Sequence, residues 1–239
     1  MLKNSLIYPM LWNRVIYANK NEPRFIYLNK PKCGCQTIHK ILTLTENFYH
    51  NKNYIHTNNM RHLLKSPFHH DINKMEHKHF IFTIVRNPYM RIFSCYRDKF
   101  FSKNEMKCIT KIKKSIPDWS FESFLNYINN RTVKERNPHW LNQSILHPVQ
   151  IDCNYVGSIE NFDKSMEYII NKIYGNELNY VDFDDKVIKN TKSHKFSHEG
   201  YFTKTTIKLI QKIYQDDFEM FGYSKDINKM FDPPKIYQL

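Results

Sequence analysis

Three apolar segments separated by polar stretches give the chain the pattern of an α/β protein. The segments cover residues 25–30, 79–86 and 153–160, and the second, HFIFTIVR, is almost continuously apolar. Nearly continuous apolar character is typical of buried parallel strands. Each segment is followed by a stretch with helical spacing. This alternation predicts an α/β fold with a mostly parallel sheet and right-handed helical crossovers.

Apolar residues recur at helical spacing in six parts of the chain. They predict helices over 35–46, 89–101, 120–130, 138–146, 161–174 and 203–221. The helix over 89–101 is expected to turn Arg91, Ser94 and Arg97 away from the core and to bury the apolar side chains of Ile92, Phe93, Tyr96 and Phe100. Asn161 is a candidate N-cap residue, and Gly175 is expected to end the helix that follows it.

The length of 239 residues suits one domain with a sizeable core. We expect a single domain over 1–239, with a core over about 25–224 and a C-terminal tail over 225–239. Residues 1–23 are predicted to be a lead-in that covers part of this core. The segment 47–78 is rich in Asn and His but lacks the spacing of a known metal site, which favours an exposed, mobile loop on the substrate side.

Charge and cysteine content narrow the classes of function. The formal net charge of +13 predicts attraction to polyanions, but it does not choose among nucleic acid, anionic membrane, acidic glycan and phosphorylated cofactor. The five cysteines include no CxxC pair, which disfavours a zinc ribbon or a thioredoxin-type site and favours reduced thiols in a cytosolic protein. Because no run of about 18 apolar residues occurs, no stable membrane span is expected, while peripheral membrane association stays open.

The stretch Arg24–Lys40, RFIYLNKPKCGCQTIHK, combines a strand, a tight turn and the start of a helix. The first turn of a helix has backbone N–H groups without helical partners, and the helix dipole adds partial positive charge there. Lys32 adds a full charge, and Gln36 and Thr37 add side-chain donors. From these residues alone, a phosphate- or sulfate-binding loop and an ordinary strand–turn–helix with a solvated Lys both stay open.

A second candidate anion site follows the next strand. Arg86 ends the strand over 79–86, and Ser94 lies two turns into the helix that begins near Pro88. Ligands of open α/β sheets bind at the carboxyl ends of the strands. Arg86 and Ser94 are therefore predicted to reach one phosphate group at that end.

Together these two motifs resemble those of sulfotransferases that use 3′-phosphoadenosine-5′-phosphosulfate (PAPS). PKCGCQT at 31–37 is similar to their 5′-phosphosulfate loop, and VRNPYMRIFSCYRDKF at 85–100 is similar to their 3′-phosphate motif. The resemblance extends over about 25–224 and includes His139-Trp140, the segment 155–160 and the segment 213–223. It is greatest to the carbohydrate sulfotransferases of the chondroitin/dermatan 4-O- and HNK-1-type branch. It implies a P-loop-like, three-layer α/β fold in which helices flank a central, mostly parallel sheet.

The resemblance also implies roles for individual residues. Lys32 would neutralise charge on the bridging oxygen of the leaving phosphate, and the loop Cys33, Gly34, Cys35, Gln36 and Thr37 would bind the 5′-phosphate. Arg86 and Ser94 would bind the 3′-phosphate. PAPS would be the co-substrate and the desulfated nucleotide PAP the product, with no metal ion required. The acceptor would be a hydroxyl of a carbohydrate or glycolipid, with His139 as the leading candidate for the base and Glu160 as the second.

Two departures from the family bear on localisation. Its Golgi members usually have an N-terminal anchor and stem, and the cysteines expected before the segment 155–160 are only partly present, with Cys153 but with His147-Pro148 where another Cys is common. These departures favour a soluble, cytoplasmic homologue of bacterial type. The alternative is the Golgi lumen, if an anchor has been removed.

Two other classes of function agree less well with the sequence. A P-loop kinase or other nucleotide phosphotransferase is disfavoured because GxxxxGK[ST] is absent and Lys32 precedes Gly34 instead of following it. A non-catalytic protein that binds nucleic acid or another polyanion is disfavoured because no nucleic-acid-binding module is recognisable. We therefore expect no nucleic-acid partner; the sequence does not indicate an oligomeric state.

Overall fold

The computed structural model describes residues 15–18, 25–49, 64–65, 80–101, 107–146, 153–175 and 197–235. The chain divides into two compact units. The first, here called the sheet unit, comprises Met1–Val85, His147–Thr191 and Tyr237–Leu239. The second, here called the helical unit, comprises Arg86–Leu146 and Lys192–Ile236. The expectation of a single domain over 1–239 stays a prediction.

The sheet unit contains a five-stranded sheet with the order β3-β1-β2-β4-β5. Its strands are β1 (Val15–Ala18), β2 (Phe25–Leu28), β3 (Leu64–Lys65), β4 (Phe80–Val85) and β5 (Tyr155–Ser158). β2, β4 and β5 pair in parallel, whereas β1 pairs antiparallel with both β2 and β3. The prediction of an α/β fold with a mostly parallel sheet is confirmed. The sequence analysis missed β1, since a repeating strand–helix pattern does not predict an antiparallel neighbour at the start of the chain.

Seven α-helices occur in the described residues. They are α1 (Cys35–Tyr49), α2 (Pro88–Phe100), α3 (Lys107–Ser115), α4 (Phe121–Asn129), α5 (Phe162–Tyr174), α6 (Lys204–Ile213) and α7 (Gln215–Met220). Short 3₁₀ helices occur at Val133–Glu135 and Ile227–Lys229. The predicted helices over 35–46, 89–101, 120–130 and 161–174 are present with small shifts in their ends.

The core of the sheet unit forms where α1 and α5 pack on one face of the sheet. Tyr27 of β2 and Phe82 of β4 are register partners, and their rings stack at 5.1 Å between centroids. The predicted apolar stripes of both helices join this cluster, among them Ile38 and Ile41 of α1 and Ile169 of α5. Helical spacing in the sequence therefore identified the buried faces correctly.

The helical unit is built around aromatic side chains of α2 and α4. Phe93 and Tyr96 of α2 lie 5.9 and 5.0 Å from the ring of Phe121 of α4, measured between centroids. Phe124 contacts both Tyr96 and Trp140, with centroid distances of 5.9 and 5.8 Å. The predicted burial of Phe93, Tyr96 and Phe100 is confirmed. Arg91, which was expected to face away from the core, is only 1% exposed, and its Nη1 donates to the Leu141 carbonyl at 2.8 Å.

The predicted helix over 138–146 is wrong. The Asn137 carbonyl accepts from the N–H groups of Trp140 and Leu141 in one turn, and further turns follow up to Leu146. Side chains from other parts of the helical unit bond the backbone groups of this segment. Tyr214 Oη donates to the Trp140 carbonyl at 2.7 Å, and Arg91 bonds the next carbonyl. These long-range hydrogen bonds satisfy the backbone without a helix.

The single predicted helix over 203–221 is two helices. α6 ends before Tyr214, whose φ of −114° and ψ of 26° depart from helical values, and α7 begins directly after it. Residues 225–235 of the predicted tail contact the rest of the helical unit: the Lys225 carbonyl accepts from Tyr89 Oη at 2.7 Å, and Lys235 N–H donates to Gly222. Asn161 precedes α5 but makes no side-chain capping bond to the described N–H groups, whereas Gly175 does end this helix.

None of the helices in the described ranges has the length and apolar character that a bilayer span requires. The segment 47–78 was expected to be an exposed, mobile loop, but Leu64–Lys65 within it form β3, which pairs with β1. Most of the remaining segment lies outside the described residues, so for that part the expectation stays a prediction.

Gly157 of β5 should be essential for the packing of α5. A Cβ atom there would lie 2.6 Å from Ile84 Cδ1 and 2.8 Å from Ser165 Cβ. Overpacking of this kind costs about 1–3 kcal/mol. We therefore expect Gly157→Ala to lower the free energy of unfolding by that amount, measured by urea denaturation. The exposed Lys164→Ala on α5 is the control, and equal stability of the two variants would contradict the packing.

Candidate active site

The predicted site residues divide between the two units. Lys32, the loop up to Thr37 and Glu160 belong to the sheet unit, whereas Arg86, Ser94 and His139 belong to the helical unit. Each unit is described by itself in the following paragraphs.

The loop between β2 and α1 is compact and bonded to itself. Cys33 N–H donates to the Lys30 carbonyl at 3.3 Å. Cys35 Sγ donates to the same carbonyl at 2.8 Å, and Cys33 Sγ donates to the Pro31 carbonyl at 3.7 Å. Both cysteines therefore act as thiol donors that shape the turn.

Two residues of this loop have left-handed backbone conformations. Gly34 has a φ of +72°, and Lys32 has a φ of +68°, the only such value at a non-glycine position in the described part of the chain. A left-handed conformation costs an L-residue roughly 1–2 kcal/mol. A strained side chain at such a position is a reason to examine its function. Lys32 is therefore a residue whose function merits a test.

Gly34 is required for a second reason, which is the closeness of the β5–α5 turn. A Cβ atom at Gly34 would lie 2.7 Å from Ile159 Cδ1 and 3.8 Å from the Phe162 ring. The loop after β2 and the turn after β5 are therefore in contact at the carboxyl ends of these parallel strands. Glu160 lies in this turn, next to Ile159, and is partly exposed. The structure thus brings the predicted loop and the turn that carries Glu160 together.

The beginning of α1 has the features of an anion site. Ile38 N–H donates to the Gly34 carbonyl at 3.0 Å, so the N–H groups of the preceding helical residues lie in the first turn, before the helical bonds begin. The first turn contains no acidic residue. Gln36 is exposed, and Thr37 is 8% exposed. The positive end of the helix dipole and the charge of Lys32 together favour a bound anion.

In the helical unit, Arg86 immediately precedes a well-capped helix. Asn87 Oδ1 accepts from Tyr89 N–H at 3.0 Å, and Pro88 occupies the first helical position, where the missing N–H costs nothing. Arg86 is 7% exposed, and Ser94, on α2, is partly exposed. The cap fixes the direction in which α2 leaves Arg86, and thus the relation between Arg86 and Ser94.

His139 is oriented by the side chain of Asn137. Asn137 Oδ1 accepts from the His139 backbone N–H at 3.0 Å and lies 2.8 Å from His139 Nδ1. Because the backbone N–H is a donor, the amide atom that it contacts must be the oxygen, and His139 Nδ1 must then carry a proton. In the neutral ring the lone pair is consequently on Nε2. This tautomer is the one that a general base acting through Nε2 needs.

In the described residues, no group of three or more His, Cys, Asp or Glu side chains is arranged to hold a metal ion.

A family of known proteins matches most of the chain. The sequence profile of the sulfotransferase family matches residues 14–224. The chain belongs to the sulfotransferase family. The match includes the loop at Lys32, the capped helix after Arg86 and the segment that begins at Asn137. It confirms the resemblance inferred from the two motifs, although the branch within the family stays a prediction.

Curated sulfotransferases are similar over much of the chain. Carbohydrate sulfotransferase 10 of Xenopus laevis is 24% identical over 94% of this chain and 71% of its own length. Carbohydrate sulfotransferase 14 of Danio rerio is 25% identical over 85% of this chain, which spans 60% of that relative. Carbohydrate sulfotransferase 12 of Xenopus laevis is 25% identical over 60% of this chain and 40% of its own length. No solved structure matches the chain significantly.

The sequence analysis missed three polar residues that organise the helical unit of this sulfotransferase. These residues are Asn137, Gln143 and Asp217, and none of them was assigned a role. Gln143 and Asp217 are completely buried. The available signal was Asp217, a carboxylate among apolar residues of the amphipathic segment 203–221, because a buried charge requires hydrogen-bond donors.

Lys32→Gly should separate stability from activity. Glycine adopts the positive φ without strain, which offsets its greater entropy in the unfolded chain. We expect the free energy of unfolding to stay within about 1 kcal/mol of wild type or to rise. Sulfuryl transfer should fall by about 10²-fold or more, since a positioned charge at the leaving group is lost.

The matched control is Lys40→Ala, which removes an equal charge from an exposed position on α1. It should leave the transfer rate unchanged. The rate is measured as incorporation of labelled sulfate from the donor into the acceptor. Full activity of Lys32→Gly would remove Lys32 from the catalytic role.

Proposed function

We propose that the chain transfers the sulfuryl group of PAPS to a hydroxyl group of a carbohydrate. The observation that carries this proposal is the strained, cationic loop at Lys32, directly before the N-terminus of α1. The relatives named above, each a carbohydrate sulfotransferase, support the acceptor class. Acceptors attached to lipid or to a longer glycan belong to the same class.

In the proposed donor site, the loop after β2 binds the 5′-phosphosulfate. The N–H groups of residues 34–37 would donate to the 5′-phosphate oxygens, together with the side chains of Gln36 and Thr37. The ammonium of Lys32 would lie against the oxygen that bridges phosphorus and sulfur. Left-handed backbone at Lys32 and Gly34 supports this role, because such a loop turns successive N–H groups toward one anion.

Arg86 and Ser94 would bind the 3′-phosphate. The guanidinium group can donate two parallel hydrogen bonds to phosphate, and the Ser94 hydroxyl can donate a third. An anion of this kind distinguishes PAPS from a nucleotide without a 3′-phosphate. The capped start of α2 supports the assignment, because it holds the backbone of the Arg86–Ser94 segment in a defined geometry.

The transfer is a single in-line displacement. The acceptor hydroxyl oxygen forms a bond to sulfur while the bond from sulfur to the bridging oxygen breaks. The bridging oxygen stays with PAP, and Lys32 stabilises the negative charge that develops on it. Nε2 of His139 accepts the proton of the acceptor hydroxyl, and Asn137 stabilises the resulting imidazolium through Nδ1. Positioning and electrostatic stabilisation therefore account for the catalysis.

Glu160 remains the alternative base. It lies in the turn after β5 that contacts Gly34, and a carboxylate there could accept the proton or bind an acceptor hydroxyl.

The net charge of +13 favours an acidic glycan among the acceptors. Incubation with labelled PAPS and a panel of glycans, followed by mapping of the sulfated position, would identify the acceptor. A cytoplasmic location is part of the proposal.

Binding of the nucleotide product tests the donor class. At equal concentration, PAP should raise the melting temperature of the protein clearly more than AMP does, because only PAP has a 3′-phosphate for Arg86 and Ser94. A charge-assisted contact of this kind corresponds to about tenfold or more in affinity. Equal shifts with PAP and AMP would refute the assignment of the 3′-phosphate site.

His139→Ala tests the base. Loss of a general base typically lowers turnover by about 10²–10⁴-fold, whereas PAP affinity should change little because His139 has no assigned contact with the nucleotide. Steady-state kinetics and calorimetric titration measure these quantities separately. Unchanged turnover would make Glu160 the better candidate.

A further inference from the structure

The side-chain amide of Gln143 bonds both backbone polar groups of Arg86. Arg86 N–H donates to Gln143 Oε1 at 2.9 Å, and Gln143 Nε2 donates to the Arg86 carbonyl at 2.8 Å. Gln143 is completely buried, so water does not compete for these bonds. A strand residue exchanges the same pair of bonds with a neighbouring strand. The amide thus restricts φ and ψ of Arg86 and the direction in which its side chain leaves the backbone.

Gln143 is held in turn by the buried carboxylate of Asp217. Asp217 Oδ2 accepts from Gln143 N–H at 2.8 Å and lies 3.5 Å from Gln143 Nε2. Asp217 Oδ1 accepts from Ser144 N–H and from Ser144 Oγ, both at 2.8 Å. A fully buried carboxylate is stable only where several donors surround it. Asp217 therefore fixes the backbone at 143–144 and orients the Gln143 amide.

Neighbouring contacts keep the rest of this segment in place. Tyr214 Oη donates to the Trp140 carbonyl, and Asn142 Nδ2 donates to the Ile213 carbonyl at 2.8 Å. Burial raises the pKa of Tyr214 well above its usual value, so its hydroxyl stays protonated and remains a donor. These bonds hold the backbone of the segment from Trp140 to Ser144, which carries Gln143.

We propose that Gln143 and Asp217 are positioning residues that hold Arg86 in the orientation that selects a 3′-phosphorylated nucleotide. The proposal rests on the proposed function, in which Arg86 binds the 3′-phosphate. It assigns a specificity role to two residues that do not contact the substrate. A bidentate contact between guanidinium and phosphate depends on direction as well as distance. Loosening the Arg86 backbone therefore weakens binding of the 3′-phosphate more than binding of the remainder of the nucleotide.

The test compares the affinities of PAP and AMP for wild type and for Gln143→Met. Methionine keeps the approximate volume of the side chain and removes both bonds to Arg86. We expect PAP affinity to fall by about 10–100-fold and AMP affinity by less than about threefold, so that the preference for the 3′-phosphate is largely lost. If Gln143→Met does not fold, Gln143→Glu is used, which retains acceptor oxygens but loses the donor to the Arg86 carbonyl.

Ser144→Ala is the matched control. It removes one donor from the same carboxylate without altering the Gln143 amide. It should lower the melting temperature and leave the ratio of PAP to AMP affinity unchanged. A purely structural role of Gln143 predicts that Gln143→Met behaves in the same way, and that result would overturn the proposal.

Amide hydrogen exchange in the ligand-free protein separates this proposal from the proposed function. Exchange at the Arg86 N–H should accelerate in Gln143→Met and stay unchanged in Ser144→Ala. Unchanged exchange in Gln143→Met would overturn the positioning role, whatever the nucleotide preference of wild type. A different result is that exchange accelerates in Gln143→Met while the wild type binds PAP and AMP equally. In that case the donor assignment is wrong, and the specificity role is overturned with it.

Discussion

The close approach of Gly34 to Ile159 is the constraint on which the sheet-unit part of the site depends. A Cβ atom on Gly34 would lie 2.7 Å from Ile159 Cδ1, so the Ile159 side chain would have to shift, and the φ of +72° would be strained for any other residue. The parallel pairing of β2, β4 and β5 brings the ends of these strands to one edge of the sheet. Gly34 leaves room for the turn after β5, so α1 begins beside the turn that carries Glu160. Lys32 adopts its unfavourable φ in the loop after β2, two residues before Gly34.

A buried carboxylate has the corresponding role in the helical unit. Asp217 accepts from the backbone N–H groups of residues 143 and 144. Tyr214 and Arg91 donate to the carbonyl groups of Trp140 and Leu141. These bonds hold a segment that has neither helix nor strand. Within it, the Gln143 side chain bonds the backbone of Arg86, and His139 lies in the turn that begins at Asn137.

The sequence was sufficient for features that depend on local patterns. Apolar runs located β2, β4 and β5, helical spacing identified the buried faces of α1, α2 and α5, and two short motifs identified the family. It was insufficient where long-range hydrogen bonds decide the structure. The turns at 138–146 have an apolar pattern that suits a helix, but Arg91, Tyr214 and Asp217 bond the backbone groups of this segment. Helical spacing also turned Arg91 away from the core, whereas its burial depends on the bond from its guanidinium group to the Leu141 carbonyl.

The backbone strain at Lys32 could not be read from the sequence, because lysine has no preference for positive φ. It follows from the turn that Cys33 and Cys35 stabilise through their bonds to the Pro31 and Lys30 carbonyls. The two cysteines therefore matter for the shape of the loop, and no covalent intermediate on sulfur is needed.

The most direct test of the account is phosphorus NMR of PAP bound to the protein. The 5′- and 3′-phosphates give separate resonances, and both should shift on binding to wild type. In Lys32→Gly the perturbation of the 5′-phosphate resonance should diminish while that of the 3′-phosphate is retained, and in Arg86→Ala the reverse should hold. Resonances that respond equally to both variants, or to neither, would contradict the assignment of the two anion sites.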